Sequence, residues 1–236
     1  MRNATILPFN DHESIVITCD NSGSIGMKSE DSVQVPYEVV GYFSFRVAIM
    51  ECLASGATPF SVVIQNFCGD KPWSALIQGI RQGMEEVGVH LSITGSTESN
   101  FQLLQSAVSV LVLGKKKNRP DKAEVKTKEL KSAVIGYPLV GSEVIQNKHE
   151  VAPLSLFKEI GEMEEVLAWP VGSKGILHEW KEMQPDKCFK KGDLTCTVDI
   201  YKSSGPSTCF LVRYPEYKEK EIKEKAGYLF HPLFHK

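Results

Sequence analysis

The apolar positions of this chain fall into two rhythms, one of helices and one of short strands. Between Pro36 and Ser55 the chain is largely apolar, and Val47, Ala48, Ile49, Met50, Cys52, Leu53 and Ala54 cover almost the whole circumference of a helix. A helix apolar on every side belongs inside a domain. Pro36 suits its first turn, with Ser32 or Gln34 near the cap, while Gly56 and Pro59 end it. Trp73, Leu76, Ile77, Ile80, Met84 and Val87 recur at helical spacing and predict a second helix, closed by Gly88. Four β-branched runs, at 15–19, 60–67, 89–94 and 107–113, read as strands. The order strand, helix, strand, helix, strand, strand predicts an α+β fold, a mixed sheet with helices on one face.

The lysine-rich tract at 115–131 interrupts this pattern, with one proline and no aromatic residue. It reads as a solvated linker or hairpin. The expected organisation is therefore an N-terminal domain over 1–118, a linker over 119–131 and a shorter C-terminal domain over 132–236. In the latter, 135–142 is rich in turns and 154–167 is an amphipathic helix. A glycine-bearing turn at 171–176 leads into a helix over 177–183. Residues 194–200 and 208–212 read as strands separated by Ser203-Ser204-Gly205-Pro206, and 218–225 alternates Lys and Glu as a solvated helix does.

Composition narrows the function classes. A net charge of -2 over 236 residues gives no reason to expect nucleic acid or a membrane surface. No apolar run reaches bilayer length, and the N-terminus lacks the apolar core of a signal peptide. The 6 cysteines form no C-x-x-C pair and several sit in apolar runs, as in reduced cytoplasmic proteins. His149, His178, His231 and His235 have no metal-ligand spacing.

Glu51 is the one acidic residue inside the apolar run at 47–54. A buried carboxylate is costly unless it is paired or sits on a cation. Arg46, a distant lysine, a water-filled cavity or a metal ion would each serve. Two other segments carry oxygen ligands at strand ends. Asp20 opens a loop containing Gly23, and Gly95-Ser96-Thr97-Glu98 follows the third strand. Carboxylates in such places suit Mg²⁺, which takes one or two from the protein and further oxygens from water and substrate phosphates. Glycine-bearing loops let backbone N–H groups approach phosphate. Neither loop is a P-loop, since the chain holds no G-x-x-x-x-G-K-[ST] and no G-x-G-x-x-G. Plain readings stand beside these: Asp20 as a turn cap, Gly95 to Thr97 as an ordinary turn, and the turn around Lys174 as a simple helix start.

Three motifs add a family likeness. Thr18-Cys19-Asp20, then M-E-C-L-A-S-G-A-T-P at 50–59, then T-G-S-T at 94–97, resemble the aminoimidazole ribonucleotide synthetase superfamily. Its pattern is T-T-D, N-D-x-x-A-x-G-A-x-P and G-G-D-T, and its members include thiamine monophosphate kinases, selenophosphate synthetases and hydrogenase maturation proteins. The resemblance implies an N-terminal α+β domain that dimerises through its sheet into a barrel. It also implies ATP and Mg²⁺ in a cleft. Asp20, Glu51 and Glu98 would hold the metal, with Asp20 and Glu51 catalytic. Gly23, Gly95, Ser96, Thr97 and Lys174 would join Asp20 in holding the nucleotide. The chain departs from the pattern at Glu51 for Asp, Met50 for Asn and Ser96 for Asp, and its C-terminal domain is shortened. The form R-V-A-I-M-E-C-L-A-S-G-A-T-P followed by I-T-G-S-T-E is most similar to the short α-ribazole kinases of cobalamin salvage. That likeness implies ATP-dependent phosphorylation of the ribose 5-hydroxyl of α-ribazole. A thiamine monophosphate kinase-like enzyme and a nucleotide-binding homodimer without phosphotransfer are the alternatives.

Overall fold

The computed structural model describes residues 4–118, 130–184 and 192–235. The chain divides at Asn118/Arg119 into two compact units. Most of the anticipated linker, 119–129, and Cys188 lie outside the described residues.

The N-terminal unit is built on a five-stranded sheet. Its elements in order are β1 (Ala4–Pro8), β2 (Glu13–Gly23), the two-residue strands β3 (Ile25–Gly26) and β4 (Val33–Gln34), α1 (Tyr37–Ala54), β5 (Thr58–Asn66), α2 (Trp73–Val87), β6 (Ser92–Thr97) and β7 (Ala107–Lys117). The strand order is β1-β2-β7-β5-β6, antiparallel except for the β5–β6 pair, and β3 pairs with β4. A parallel β5–β6 pair needs a crossover, and α2 is that crossover. Alternation along the strands sorts the two faces. Val16 and Thr18, Val62, Ile64 and Asn66, and Val108, Val110 and Val112 are buried on one face, where α1 packs. Gly41 and Gly79 let α1 and α2 touch backbone to backbone: a Cβ at Gly79 would stand 1.9 Å from the Glu38 carbonyl oxygen. Here two missing side chains set the helix separation.

The fold is the α+β class expected, and both long helices fall where periodicity put them. Differences at the strands have local causes. The third expected strand begins at Ser92 rather than residue 89, because the Val89 N–H is used to cap α2, bonding the Met84 carbonyl at 2.9 Å behind a left-handed Gly88. β7 runs on through the lysines to Lys117, which pairs with Glu13. The edge strand β1 carries too few residues to announce itself.

The C-terminal unit holds a second five-stranded sheet, antiparallel, of order β10-β12-β8-β11-β9. Its elements are β8 (Lys131–Ile135), a short α3 (Glu143–Gln146), α4 (Leu154–Glu162), β9 (Leu167–Pro170), α5 (Ile176–Met183), β10 (Leu194–Thr195), β11 (Phe210–Tyr214), α6 (Glu219–Ala226) and β12 (Phe230–His235). Trp180 and Ile176 of α5 pack with Val134, Leu211 and Leu233 on one face. On the other face Phe157 of α4 meets Phe210 edge-on, with ring centroids 5.0 Å apart. Sequence reasoning missed three strands here. The helix expected over 154–167 stops at Glu162, and the chain re-extends as β9. The turn-rich stretch at 135–142 is preceded by β8. β12 was hidden by Pro232, which is tolerated because β10 pairs only with Phe234 and His235 and leaves the proline on an open edge.

Candidate functional site

Asp20 lies near the end of β2, opposite Val110 of β7. Residues two apart on a strand share a face. The Thr18 hydroxyl donates to the Ala48 carbonyl of α1 at 2.7 Å, so Asp20 also belongs to the helix-bearing face. It is half-buried. Burial pushes its pKa from 3.8 up to about 7, against a smaller lowering by a backbone hydrogen bond at Asn21. Among the described residues, then, no cationic side chain pairs with this carboxyl group.

Glu51 is buried, only 5% exposed, near the C-terminal end of α1. Its distance from Asp20 follows from two contacts. Thr18 bonds Ala48, and Gly114, which pairs with Val16, sits where a Cβ would be 2.6 Å from Cys52 Sγ. Moving from Val16 to Thr18 thus retraces α1 from Cys52 to Ala48, so strand and helix run antiparallel. Asp20 lies further along the strand, and Glu51 lies on the other side of Ala48. Their backbones are about 11 Å apart along that direction, taking about 3.3 Å per strand residue and 1.5 Å per helix residue. The other buried charge of α1 is Arg46, fully inaccessible. It stands beside Tyr42, whose hydroxyl donates to Glu86 of α2 at 2.6 Å. Burial, with Glu86 adding and Arg46 opposing, pushes the Tyr42 phenol up to about 12.

The 95–98 segment goes elsewhere. Gly95 pairs with Ile64, and a Cβ there would meet the Ile64 carbonyl oxygen at 2.0 Å, so this glycine serves the close approach of β6 to β5. Ser96 pairs with Gln65 and faces the side of the sheet opposite to Asp20. Thr97 faces the helices, where its hydroxyl accepts from Asn66 Nδ2 at 3.1 Å. The Glu98 carboxylate accepts the Asn100 and Phe101 N–H groups at 2.7 and 3.1 Å and closes the loop after β6. β6 is three strands from β2, about 14 Å at the usual strand spacing. Asp20, Glu51 and Glu98 are thus not brought together, and no group of three His, Cys, Asp or Glu among the described residues is placed to hold a metal. Asp20 alone suits a cation that takes its other oxygens from water and phosphate. Gly23, at the end of β2, has open space where a Cβ would be.

Two residues beyond the sequence reading organise the same end of the sheet. The buried Asp31 carboxylate accepts from the Ser106 N–H at 2.6 Å, the Ser106 hydroxyl at 2.7 Å and the Lys28 N–H at 2.9 Å. Burial alone would raise its pKa, but these Ser106 and Lys28 contacts hold it below the ordinary carboxylate range. Lys28 Nζ in turn donates to the Leu103 carbonyl at 2.7 Å. The loops at 24–35 and 98–106 are thereby fixed to each other. A signal was present in sequence: a Lys and an Asp three residues apart in the polar loop behind Asp20.

Lys174 belongs to the C-terminal unit and is exposed on the turn ahead of α5. That turn is tied down by the Ser204 N–H bonding the Gly172 carbonyl at 3.2 Å and by Gly175, where a Cβ would strike the Lys202 carbonyl oxygen at 2.7 Å. No helix among the described residues is long and apolar enough to cross a membrane.

Residues 1–115 match the family model described as AIR synthase related protein, N-terminal domain. No curated protein sequence matches the chain. Among solved structures, Thermotoga maritima PurL complexed with ATP superposes with a TM-score of 0.60 at 17% identity, covering 99% of this chain and 42% of that one. The chain thus spans less than half the length of that PurL. A HypE–HypF complex gives a TM-score of 0.60 at 12% identity, covering 100% of this chain and 88% of that one. A Thermus thermophilus protein gives 0.59 at 13%, covering 99% and 84%. At these identities the likeness establishes an AIR synthase-like fold.

Proposed function

We propose that this chain is an ATP- and Mg²⁺-dependent small-molecule kinase that phosphorylates the ribose 5-hydroxyl of α-ribazole. The observation that carries the reading is Asp20. It closes the T-C-D motif of the segment that matches the AIR synthase-related domain, and in its shielded position no cationic side chain among the described residues pairs with it. The relative crystallised as PurL with ATP supports a nucleotide as the ligand of this fold. In this reading Asp20 provides the protein oxygen for Mg²⁺. Gly23, beside it at the strand end, leaves room for a phosphate near backbone N–H groups. Mg²⁺, when bound, neutralises charge on the phosphates, and phosphoryl transfer needs little more than that and positioning. Thr97 faces the same side of the sheet as Asp20.

The same reading takes the protein as a homodimer. The sheet face opposite the helices carries Ile15, Ile17, Val63, Leu111 and Leu113, an apolar surface of the kind that pairs with a second copy. A second reading, nucleotide binding without phosphotransfer, is favoured by Ser96, which stands where the superfamily pattern has Asp and faces away from Asp20.

The deciding experiment is ADP release from Mg-ATP with α-ribazole, thiamine monophosphate, selenide and formylglycinamidine ribonucleotide offered singly. ADP formed with α-ribazole alone supports the proposal. ADP with another acceptor keeps the kinase and changes the substrate. Thermal stabilisation by Mg-ATP with no ADP from any acceptor selects the second reading.

A further inference from the structure

The C-terminal unit contains a cation set apart from the others. Several of its lysines are paired locally: Lys131 sits 2.8 and 2.6 Å from Glu216 and Glu219, and Lys202 is 2.9 Å from Glu143. Arg213 of β11 has no carboxylate within ion-pair distance among the described residues, yet it is half-buried on the α5 side of the sheet. Its guanidinium carbon lies 5.8 Å from the centre of the Trp180 ring. Its Nε is buried without a hydrogen-bond acceptor. A buried donor left unsatisfied is costly, and more so when charged.

Two further donors lie on the elements that bear Arg213's neighbours, β8 and the end of α5. Ser132 of β8 is the direct cross-strand neighbour of Arg213, on the same face and buried. Gln184 follows Trp180 by one helical turn at the end of α5. It is 7% exposed, and its amide nitrogen has no acceptor. A guanidinium thus stands by an indole ring with a cross-strand serine beside it and a carboxamide at the end of the same helix, and no acidic side chain among the described residues pairs with the guanidinium. Such a donor set complements an oxyanion, which guanidinium binds through two parallel hydrogen bonds.

We propose that Arg213, with Ser132, Gln184 and the face of Trp180, forms an oxyanion-binding site on the C-terminal unit, selective for carboxylate or phosphate groups over halide. Arg213 is the principal ligand, and Gln184 supplies a second donor. This inference rests on the C-terminal unit alone and stands whether or not the kinase reading does.

The test uses the full chain labelled with ¹⁵N. The sequence has 3 tryptophans, so the Trp180 indole signal is assigned by its loss in Trp180→Phe. Sodium phosphate and sodium acetate are titrated separately against sodium chloride at matched ionic strength. The expected result is a saturable shift of the Trp180 indole signal with an oxyanion and none with chloride. Which of the two oxyanions binds more tightly identifies the natural ligand group. Arg213→Gln should raise the midpoint tenfold or more, and Gln184→Leu severalfold. Should Arg213→Gln fail to fold, Arg213→Lys and Gln184→Leu carry the comparison. No saturable shift in the native chain, or midpoints unchanged in the variants that fold, overturns the proposal.

Discussion

Replacing Asp20 by Asn should make the protein more stable at pH 8 while leaving its stability near pH 4 almost unchanged. Asp20 has a folded-state pKa raised from 3.8 to about 7 by burial. The unfolded chain releases the proton near pH 4, whereas the folded chain holds it to about pH 7. Below the lower value both states are protonated and the group contributes nothing against folding. As pH rises through the window between the two values, the unfolded state is favoured progressively, and the loss is complete above about pH 7. A shift of about three units at 1.36 kcal/mol each bounds the loss at about 4 kcal/mol. Water reaching a half-buried group reduces it, so about 2–4 kcal/mol is the working range. Asparagine keeps the shape and carries no charge, so it removes this penalty. Urea unfolding of both proteins at pH 4 and at pH 8 measures it. The stability advantage of Asp20→Asn should open mainly between pH 4 and 7. A difference independent of pH, or a variant less stable at pH 8, would refute the claim that burial raises this pKa. A residue kept at such a cost is one retained for something other than folding.

Four other substitutions test separate parts of the account. Gly79→Ala puts a Cβ 1.9 Å from the Glu38 carbonyl oxygen and must push α1 and α2 apart, so a loss of about 1–3 kcal/mol in thermal or urea unfolding is expected. Lys28→Met strips the cation from the Leu103 carbonyl, and hydrogen exchange at residues 101–106 should accelerate severalfold without change in the sheet strands. Glu179→Gln weakens the buried bond that Trp169 Nε1 donates to Glu179 at 2.9 Å, and about 1–2 kcal/mol should be lost. Leu111→Glu charges the open sheet face and should turn a dimer into a folded monomer by light scattering. An unchanged mass would remove the sheet from the interface.

Periodicity made the N-terminal unit legible because its two helices bury long, mostly apolar runs and are followed by the left-handed glycines Gly56 and Gly88. The C-terminal strands were obscure because their pairing is long-range. β12 carries a proline and two histidines, and only its place between β8 and β10 makes it a strand. Among site residues, Asp20 was legible as a carboxylate at a strand end, and its shielding is a property of tertiary packing. Spacing along the chain could not reveal that Ser96 faces the far side of the sheet, since a one-residue step reverses a side chain. Nor could it show that Glu98 is spent on the Asn100 and Phe101 N–H groups. Strand order, which separates β2 from β6 by two intervening strands, is what keeps these carboxylates apart.

The central claim is that Asp20 holds the Mg²⁺ of a bound nucleotide. Isothermal titration of Mg-ATP into the native chain and into Asp20→Asn at pH 8 tests it most directly. The account predicts saturable binding to the native chain, weakened at least tenfold in the more stable variant. Equal affinity in the two proteins, or no binding to the native chain, would contradict it.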